Sequence, residues 1–193
     1  MALSVRSLAP EIFLIERLLA PELCKHLIDI SQLYPQTQAG VELGRVEADV
    51  RSNATLRLEN DPLLASTNGL LLEQVGYIQD WLHGQYGIRF TQAEACSILC
   101  YDEGQFYKRH VDNLLMASRM METEQGVPTR DVSIVGYLNE GFEGGETYFD
   151  RQDLKVVPQQ GAVLVFPSFY AYPHQSLPVT SGRKYSWTTW LYF

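Results

Sequence analysis

The first half of the chain carries apolar residues at helical spacing behind a helix-start signal. Pro21 follows Ala20 and suits the first position of a helix. The segment that it opens has its apolar side chains three or four residues apart, at Leu23, Leu27, Ile30 and Leu33. We therefore predict an amphipathic helix that begins at Pro21.

A second helix-start signal is Asp61-Pro62, where the Asp61 side chain suits a capping role. The pattern then continues to Leu82, and Gly84 or Gly87 is expected to end this second helix. Its apolar positions are Leu63, Leu64, Leu70, Leu71, Val75, Ile78 and Leu82. Both helices are interpreted as packing elements.

From Ala93 onward the pattern changes to short apolar runs separated by Gly, Pro, Asn and Asp. The runs are AEACSILCY, DVSIVGYLN, ETYFD, LKVVP, GAVLVFP and KYSWTTWLYF. Short strands at close spacing, without helical patterns between them, predict an antiparallel sandwich or barrel. We predict one mainly β domain with supporting helices (α+β) over residues 1–193, helical to about residue 90 and with a β core over about 91–193.

Charge and composition narrow the class of partner. The chain has 193 residues, a net charge of -8 and no run of Lys or Arg. Nucleic acid is not an expected partner, because phosphate binding needs a basic footprint. The beginning of the chain lacks a signal-peptide pattern, and no apolar run approaches the roughly 20 residues that span a bilayer. We therefore expect a cytoplasmic protein with no membrane partner, in which the three cysteines are free thiols. The oligomeric state stays open.

Candidate chemistry lies in the motif His110-Val111-Asp112. Residues i and i+2 of an extended chain project from the same face, so His110 and Asp112 are placed to bind one cation. Of the other histidines, His26 and His83 lie in the predicted helices and are interpreted as surface residues. His174 follows the run GAVLVFPS. Two histidines and one carboxylate match the facial triad of non-haem iron(II) oxygenases, which leaves three iron positions open.

A cation follows ten residues after the last histidine. Either Lys184 or the adjacent Arg183 is a candidate partner for the far carboxylate of a dicarboxylate cosubstrate. On a strand, Lys184 shares its face with Ser186 and Thr188, whereas Arg183 shares the opposite face with two aromatic side chains. The small polar face suits a pocket, so Lys184 is favoured and Arg183 is kept as the alternative.

Four blocks of motifs follow one another in the second half, from about Glu94 to Phe193. They are YDEGQFYKRHVDN, YLN with GGET, VPQQG with VLVF, and a last block containing His174, Lys184-Tyr185 and the final WLYF. In this order they resemble the prolyl 4-hydroxylase family of 2-oxoglutarate/Fe(II) dioxygenases, and they are especially similar to the oxygen-sensing prolyl hydroxylases. The resemblance implies a double-stranded β-helix (jelly roll) core. It also implies iron(II), 2-oxoglutarate and O2, with ascorbate as a further candidate.

Carried over residue by residue, the resemblance makes His110, Asp112 and His174 the iron ligands. It implies that Lys184 pairs with the distal carboxylate of 2-oxoglutarate. Tyr137 would donate a hydrogen bond to the same carboxylate, and Tyr101 would line the pocket.

The expected reaction is hydroxylation of prolyl residues in a peptide or protein, coupled to decarboxylation of 2-oxoglutarate. Residues 46–58, with Arg51 and Arg57, and the loop after Asp112 are the candidate substrate-facing segments. Two alternatives stay open. One is an oxygenase of the same fold that acts on a free amino acid or another small molecule, and the other is a non-catalytic metal-binding β-barrel module.

Overall fold

The computed structural model describes residues 3–38, 49–59, 61–113, 124, 126 and 128–193. The two predicted helices are present as α1 (Pro21–Leu33) and α2 (Ala65–Tyr86). The strands are β1 Ser4–Ala9, β2 Ile12–Glu16, β3 Thr37–Gln38, β4 Ala54–Arg57, β5 Gln92–Ala93, β6 Ser97–Tyr101, β7 Tyr107–His110, β8 Val132–Tyr137, β9 Glu143–Gly144, β10 Thr147–Phe149, β11 Leu154–Val156, β12 Val163–Pro167, β13 His174–Ser176, β14 Val179–Ser181 and β15 Lys184–Tyr192.

The helix boundaries follow local chemistry. Pro21 opens α1, and the helix ends before Tyr34-Pro35, since a residue that precedes proline is disfavoured in the α region. Asp61 does cap a helix start, but the element is a short 3-10 turn over Pro62–Leu64, in which the Asp61 carboxylate accepts a hydrogen bond from the Leu63 amide. The helix α2 then ends at Gly87, whose φ of 69° is left-handed.

The buried faces of the helices differ in part from the predicted apolar stripes. In α1 the fully buried positions are Cys24, Leu27 and Ser31, while Leu33 is 77% exposed. In and before α2, Leu63 and Leu70 are exposed, whereas the predicted core positions Leu64, Leu71, Val75, Ile78 and Leu82 are buried. Neither described helix is long and apolar enough to cross a membrane.

The strands form two main sheets and a small ribbon. The large sheet has the order β1-β2-β12-β8-β15-β6-β4-β3, with β5 added beside β15. The second sheet has the order β11-β10-β13-β7, and β14 pairs with β9. The assigned strand pairs are antiparallel, as the sequence pattern predicts.

Two apolar cores separate three layers, with the large sheet in the middle. On one side its side chains pack against α1 and α2, and this core contains Leu71, Val75, Ile78, Ile134 and Trp187. On the other side they face the second sheet, and that core contains Tyr137, Phe149, Val156, Leu164 and Phe166. The predicted mainly β sandwich with supporting helices is confirmed.

The first four strands, β1 to β4, were not predicted from the sequence. The run Ile12–Glu16 is buried on both faces, so it lacks the alternation that marks a half-exposed strand. It pairs with β12, and β4 pairs with β6. The expected division near residue 90 therefore does not separate helices from sheet, because strands from both sides of it share the large sheet. The single-domain assignment itself stays a prediction.

A tight contact between β8 and β15 gives a test of this packing. A Cβ at Gly136 would lie 1.9 Å from the Trp187 indole nitrogen, whereas nothing lies within 4 Å of a Cβ at Gly76 in α2. We expect Gly136→Ala to lower the free energy of unfolding by about 1–3 kcal/mol or more through overpacking. The control Gly76→Ala should raise it by roughly 0.5–1 kcal/mol, because alanine is the better helix former. Urea denaturation measures both, and a Gly136→Ala variant as stable as the parent would contradict the packing.

Candidate functional site

Two predicted ligands meet through strand pairing in the second sheet. Strand β7 ends at His110 and β13 begins at His174, and the antiparallel register sets these two residues opposite each other. Directly paired residues have their side chains close together. The two imidazole rings accordingly lie 4.3 Å apart between centroids.

Asp112 completes the group. Candidate ligand atoms of His110, Asp112 and His174 all lie within 4.8 Å of one another, and within the described part of the chain no other group of three or more such residues does so. The His110 Nε2 atom is 3.3 Å from Asp112 Oδ1, and the His174 Nε2 atom is 3.6 Å from Asp112 Oδ2. The structure thus brings together all three residues selected from the sequence.

The backbone fixes the orientation of both imidazoles. His110 Nδ1 donates to the Lys108 carbonyl at 2.8 Å, and His174 Nδ1 donates to the Tyr172 carbonyl at 3.2 Å. A carbonyl oxygen only accepts, so each Nδ1 carries the proton and each Nε2 keeps its lone pair. The two lone pairs therefore face Asp112, which is the arrangement that metal-binding histidines need.

The protonation states also suit a metal. Burial lowers the pKa of His174 to about 4, so its imidazole is neutral at neutral pH. Burial acts to raise the pKa of Asp112, but His174, His110 and Ser133 outweigh that effect and hold it well below its ordinary value. Neutral imidazoles and an ionised carboxylate are the ligand forms. This donor set on one side of a cation fits non-haem iron(II).

A buried lysine lies in the same interior. Lys184 is 2% exposed, and its Nζ donates to the Gly145 carbonyl at 2.6 Å and to Ser176 Oγ at 2.9 Å. Among the described residues no carboxylate forms an ion pair with it. Burial lowers the pKa of Lys184 to about 7, against a smaller opposing effect of Glu146. A buried ammonium group without a carboxylate partner is unfavourable, so an anion bound beside it would be stabilising.

Arg183 lies on the other side of the strand. It forms an ion pair with Asp102, its side chain is 52% exposed, and it also donates to the Tyr185 hydroxyl at 3.4 Å. Tyr185 and Trp187 belong to the core under the helices. The alternation predicted along this strand is therefore present, and it places Lys184 rather than Arg183 in the interior.

Both predicted tyrosines lie close to Lys184. The Lys184 Nζ lies 4.8 Å from the centroid of the Tyr101 ring and 5.9 Å from that of Tyr137. Burial raises the pKa of both phenols, so they are neutral hydroxyl groups at neutral pH. The Tyr137 hydroxyl is 2.9 Å from the Thr147 hydroxyl, a neighbour in the opposite sheet.

Sequence reasoning missed several polar residues of the site. Ser176 holds Lys184, and its position two residues after His174 on a strand was an available signal. Ser133 donates to Asp112 Oδ2 at 2.7 Å from a strand 21 residues away, for which no local signal exists. Thr147 was likewise overlooked.

The candidate substrate-facing segments are only partly described. Residues 46–48 and most of the stretch between Asn113 and Thr129 lie outside the described residues. Arg51 lies 4.5 Å over the ring of Tyr107, which stacks on His110 at 3.5 Å between centroids, so this arginine is near the site. Arg57 instead forms an exposed ion pair with Glu59 on strand β4.

A family model supplies the deciding comparison. The model described as the 2OG-Fe(II) oxygenase superfamily matches residues 96–192, which span all three candidate ligands and Lys184. The chain belongs to this superfamily. That membership confirms the predicted enzyme class, together with iron(II), 2-oxoglutarate and O2 as its cofactor and cosubstrates, and it favours an oxygenase over a non-catalytic β-barrel module.

The names of individual relatives agree with this family assignment. A mimivirus protein (Acanthamoeba polyphaga mimivirus) with a prolyl 4-hydroxylase name is 32% identical over 116 residues, which is 55% of this chain and 48% of the relative. Prolyl 4-hydroxylase 1 of Arabidopsis thaliana is 26% identical over 210 residues, which is 97% of this chain and 70% of the relative. The chain thus spans about half the length of the viral relative and rather more of the plant one.

The oxygenase also shares its fold with solved structures. A prolyl hydroxylase from Trichoplax adhaerens, in complex with a peptide fragment of the hypoxia inducible factor oxygen degradation domain, superposes with a TM-score of 0.76. The match covers 94% of this chain and 83% of that one, at 19% identity. At this level of identity the likeness confirms the jelly-roll fold.

Burial of Lys184 predicts a pH effect on stability. Its pKa is about 7 in the folded protein and 10.5 ordinarily, so between these values the unfolded chain binds the additional proton. Stability should therefore rise with pH from about 7 to 10.5, by at most about 1.4 kcal/mol per pH unit. Below pH 7 the full cost of the buried charge is present, and above 10.5 it is gone.

The variant Lys184→Met isolates this contribution because other titrating groups cancel between the two proteins. We expect it to be more stable than the parent at pH 7 and to lose that advantage by about pH 10.5. Urea denaturation at several pH values, without metal or dicarboxylate, measures the difference. Parallel stability curves for the two proteins would show that the Lys184 pKa is not lowered.

Proposed function

We propose that the protein hydroxylates prolyl residues of a peptide or protein substrate, with iron(II) held by His110, Asp112 and His174 and with 2-oxoglutarate held by Lys184. One observation carries this proposal: a His-Asp-His group and a buried lysine without a carboxylate partner in the described residues face the same interior. A cation site and an anion site side by side suit a metal ion and a dicarboxylate.

Iron(II), with 2-oxoglutarate and O2, supplies the oxidising power for inserting oxygen into a C–H bond when it is bound. The residues of the protein position the metal ion and the cosubstrate. His110 and His174 present Nε2 lone pairs because their Nδ1 atoms are held by backbone carbonyls. Asp112 presents an ionised carboxylate from the same side, so the remaining positions of the ion are left for a chelating cosubstrate and for O2.

Lys184 is assigned to the distal carboxylate of 2-oxoglutarate. Its ammonium group is already oriented by Gly145 and Ser176, so little side-chain freedom remains to be lost on binding. An incoming carboxylate offsets the unfavourable burial of the lysine charge. Tyr101 and Tyr137 flank the ammonium group, and we assign them as the neutral walls of this pocket.

The wall behind the metal ligands excludes water. The His174 ring lies 4.7 Å from the Phe166 ring and 5.5 Å from the Phe149 ring, measured between centroids. Both phenylalanines are almost fully buried. A dry wall strengthens the electrostatic interactions at the site and suppresses side reactions of a reactive centre.

A prolyl substrate is supported by the names of the relatives and by the peptide-bound neighbour. Beside the candidate metal ligands, the Tyr107 ring stacks on His110 and the Arg51 guanidinium lies over the Tyr107 ring, so the two side chains contribute an aromatic and planar cationic surface next to His110. Flat aromatic surfaces suit proline, whose ring is rigid and apolar. We assign this surface to the substrate, and a free amino acid or another small molecule remains the alternative.

The remaining expectations are also proposals. All three cysteines are buried free thiols, which supports a reducing compartment such as the cytoplasm. Ascorbate is proposed as an accessory reductant and is included in the assays below.

The first experiment measures succinate formed from 2-oxoglutarate with iron(II), ascorbate and a library of proline-containing peptides. We expect turnover that rises with peptide and a gain of one oxygen atom on proline by mass spectrometry. Asp112→Ala should lower turnover by more than the roughly 10–100-fold typical of losing an outer-sphere partner. Ser31→Ala serves as the control. It removes a buried hydroxyl in α1, distant in sequence from Asp112, and should keep parental turnover.

The outcomes separate the substrate classes. Slow turnover that requires Asp112 but ignores every peptide would move the assignment to a small-molecule substrate. Parental succinate production by Asp112→Ala would contradict the metal-ligand assignment itself.

A second experiment compares the two adjacent cations. We expect Lys184→Ala to raise the KM for 2-oxoglutarate by about 10- to 100-fold, the equivalent of losing a hydrogen bond to a charged group. Arg183→Ala is the matched control, since that side chain is half exposed and paired with Asp102, and it should change the KM by less than about threefold. The reverse ranking would assign the cosubstrate to Arg183.

A further inference from the structure

Asp112 is held differently from the two histidines. His110 and His174 lie in paired strands, whereas Asp112 lies beyond the end of β7 and belongs to no strand. Its backbone therefore has no ladder of hydrogen bonds to fix it. A carboxylate that binds a metal must nevertheless be positioned to within a fraction of an ångström. Other contacts must supply that restraint.

Three hydrogen bonds hold the residue. Ser133 Oγ donates to Asp112 Oδ2 at 2.7 Å, and Arg130 Nη1 donates to the Asp112 carbonyl at 3.3 Å. The amide of the next residue, Asn113, donates to the Ser168 carbonyl at 3.0 Å. Side chain, carbonyl and following amide are thus each attached to a different part of the large sheet or its adjoining loops.

Arg130 is itself rigidly held. Its Nη2 donates to Glu94 Oε2 at 2.7 Å while Nε pairs with the other carboxylate oxygen, so the ion pair is bidentate. Its guanidinium carbon lies 3.5 Å from the centroid of a Trp190 ring. The arginine therefore serves as a fixed donor to the Asp112 backbone.

Ser133 and Ser168 form a directed pair. Their hydroxyl oxygens are 2.8 Å apart, and the two residues are 0% and 1% exposed. An ionised carboxylate only accepts hydrogen bonds, so Ser133 donates its single hydroxyl proton to Asp112. Ser168 must then donate to Ser133. The direction of donation, from Ser168 to Ser133 and from Ser133 to Asp112, therefore follows from which groups carry a proton.

Ser133 lies on one of two neighbouring strands of the large sheet, and Ser168 lies just beyond the end of the other. Ser133 is in β8, and Ser168 directly follows Pro167, the last residue of β12. The register pairs Phe166 with Ser133 and Pro167 with Val132. The Ser168 amide donates to the Asp131 carbonyl at 3.0 Å. The donor to Asp112 consequently lies on a buried strand that is paired on both sides, with β12 and with β15.

We propose that Ser133, oriented by Ser168, is a positioning residue that occupies Asp112 Oδ2 and reserves Oδ1 for the metal. This inference rests on the proposed metal site. Asp112 then binds through one oxygen, whereas an unrestrained carboxylate is able to bind through both and to take an additional coordination position. Ser133 thereby keeps open a position that the cosubstrates require.

The test uses Co²⁺ as the probe, with its dissociation constant obtained by titration and its d–d absorption spectrum reporting the coordination. We expect Ser133→Ala to raise the Co²⁺ dissociation constant by about 10- to 100-fold and to change the spectrum. Ser133→Thr, which keeps the hydroxyl, should bind within about threefold of the parent with the parental spectrum. Ser31→Ala removes an equally buried serine hydroxyl that bonds only within α1, and it should match the parent in both measurements.

The outcomes distinguish this inference from the proposed function. Absence of Co²⁺ binding by the parent protein would overturn the metal site itself. Tight binding by the parent together with the same constant and spectrum in Ser133→Ala would overturn the role of Ser133 and leave the metal site standing. If a thermal melt shows Ser133→Ala to be unfolded, Ser168→Ala decides: a several-fold weaker constant supports the directed pair, and an unchanged constant overturns it.

Discussion

The antiparallel register between β7 and β13 is the constraint on which the site depends. It sets His110 opposite His174, and it places Ser176 two residues further along the same strand, next to the lysine that enters from the other sheet. A slip of one residue turns the side chains of a strand to its opposite face, so the register is strongly specified where one face is buried. A shift by one residue would remove an imidazole from the interior and take the Ser176 hydroxyl away from Lys184.

The two facing sheets contribute electrostatically different groups to the site. The second sheet contributes the two histidines, of which the buried His174 is neutral, and the large sheet contributes a lysine whose buried charge is unfavourable without an anion. The interior is therefore preorganised for a cation at one position and an anion at another. The apolar cores on both faces of the large sheet stabilise the fold and so offset the unfavourable free energy of burying these groups. The large sheet therefore contributes both to the stability of the fold and to the site.

Sequence patterns were sufficient where the chemistry is local. The pair His110 and Asp112 follows from i, i+2 geometry, and the interior position of Lys184 follows from alternation along β15. They were insufficient where contacts span the chain. Ser133 reaches Asp112 and Ser168 from separations of 21 and 35 residues, which only the strand order reveals. The strand Ile12–Glu16 was missed for a related reason, since burial on both faces erases the period of two.

The placement of the two charged positions on separate sheets has a consequence for cosubstrate length. His110 and His174 belong to the second sheet and Lys184 belongs to the large one, while Phe149 and Phe166 pack edge to face between the sheets with their centroids 4.9 Å apart. If 2-oxoglutarate bridges these two positions as proposed, the gap between the layers sets the length of the dicarboxylic acid that fits. Discrimination between a five-carbon acid and its six-carbon homologue would then depend on the spacing that these aromatic side chains impose on the two sheets, and shortening Phe149 or Phe166, which also pack against His174, should change it.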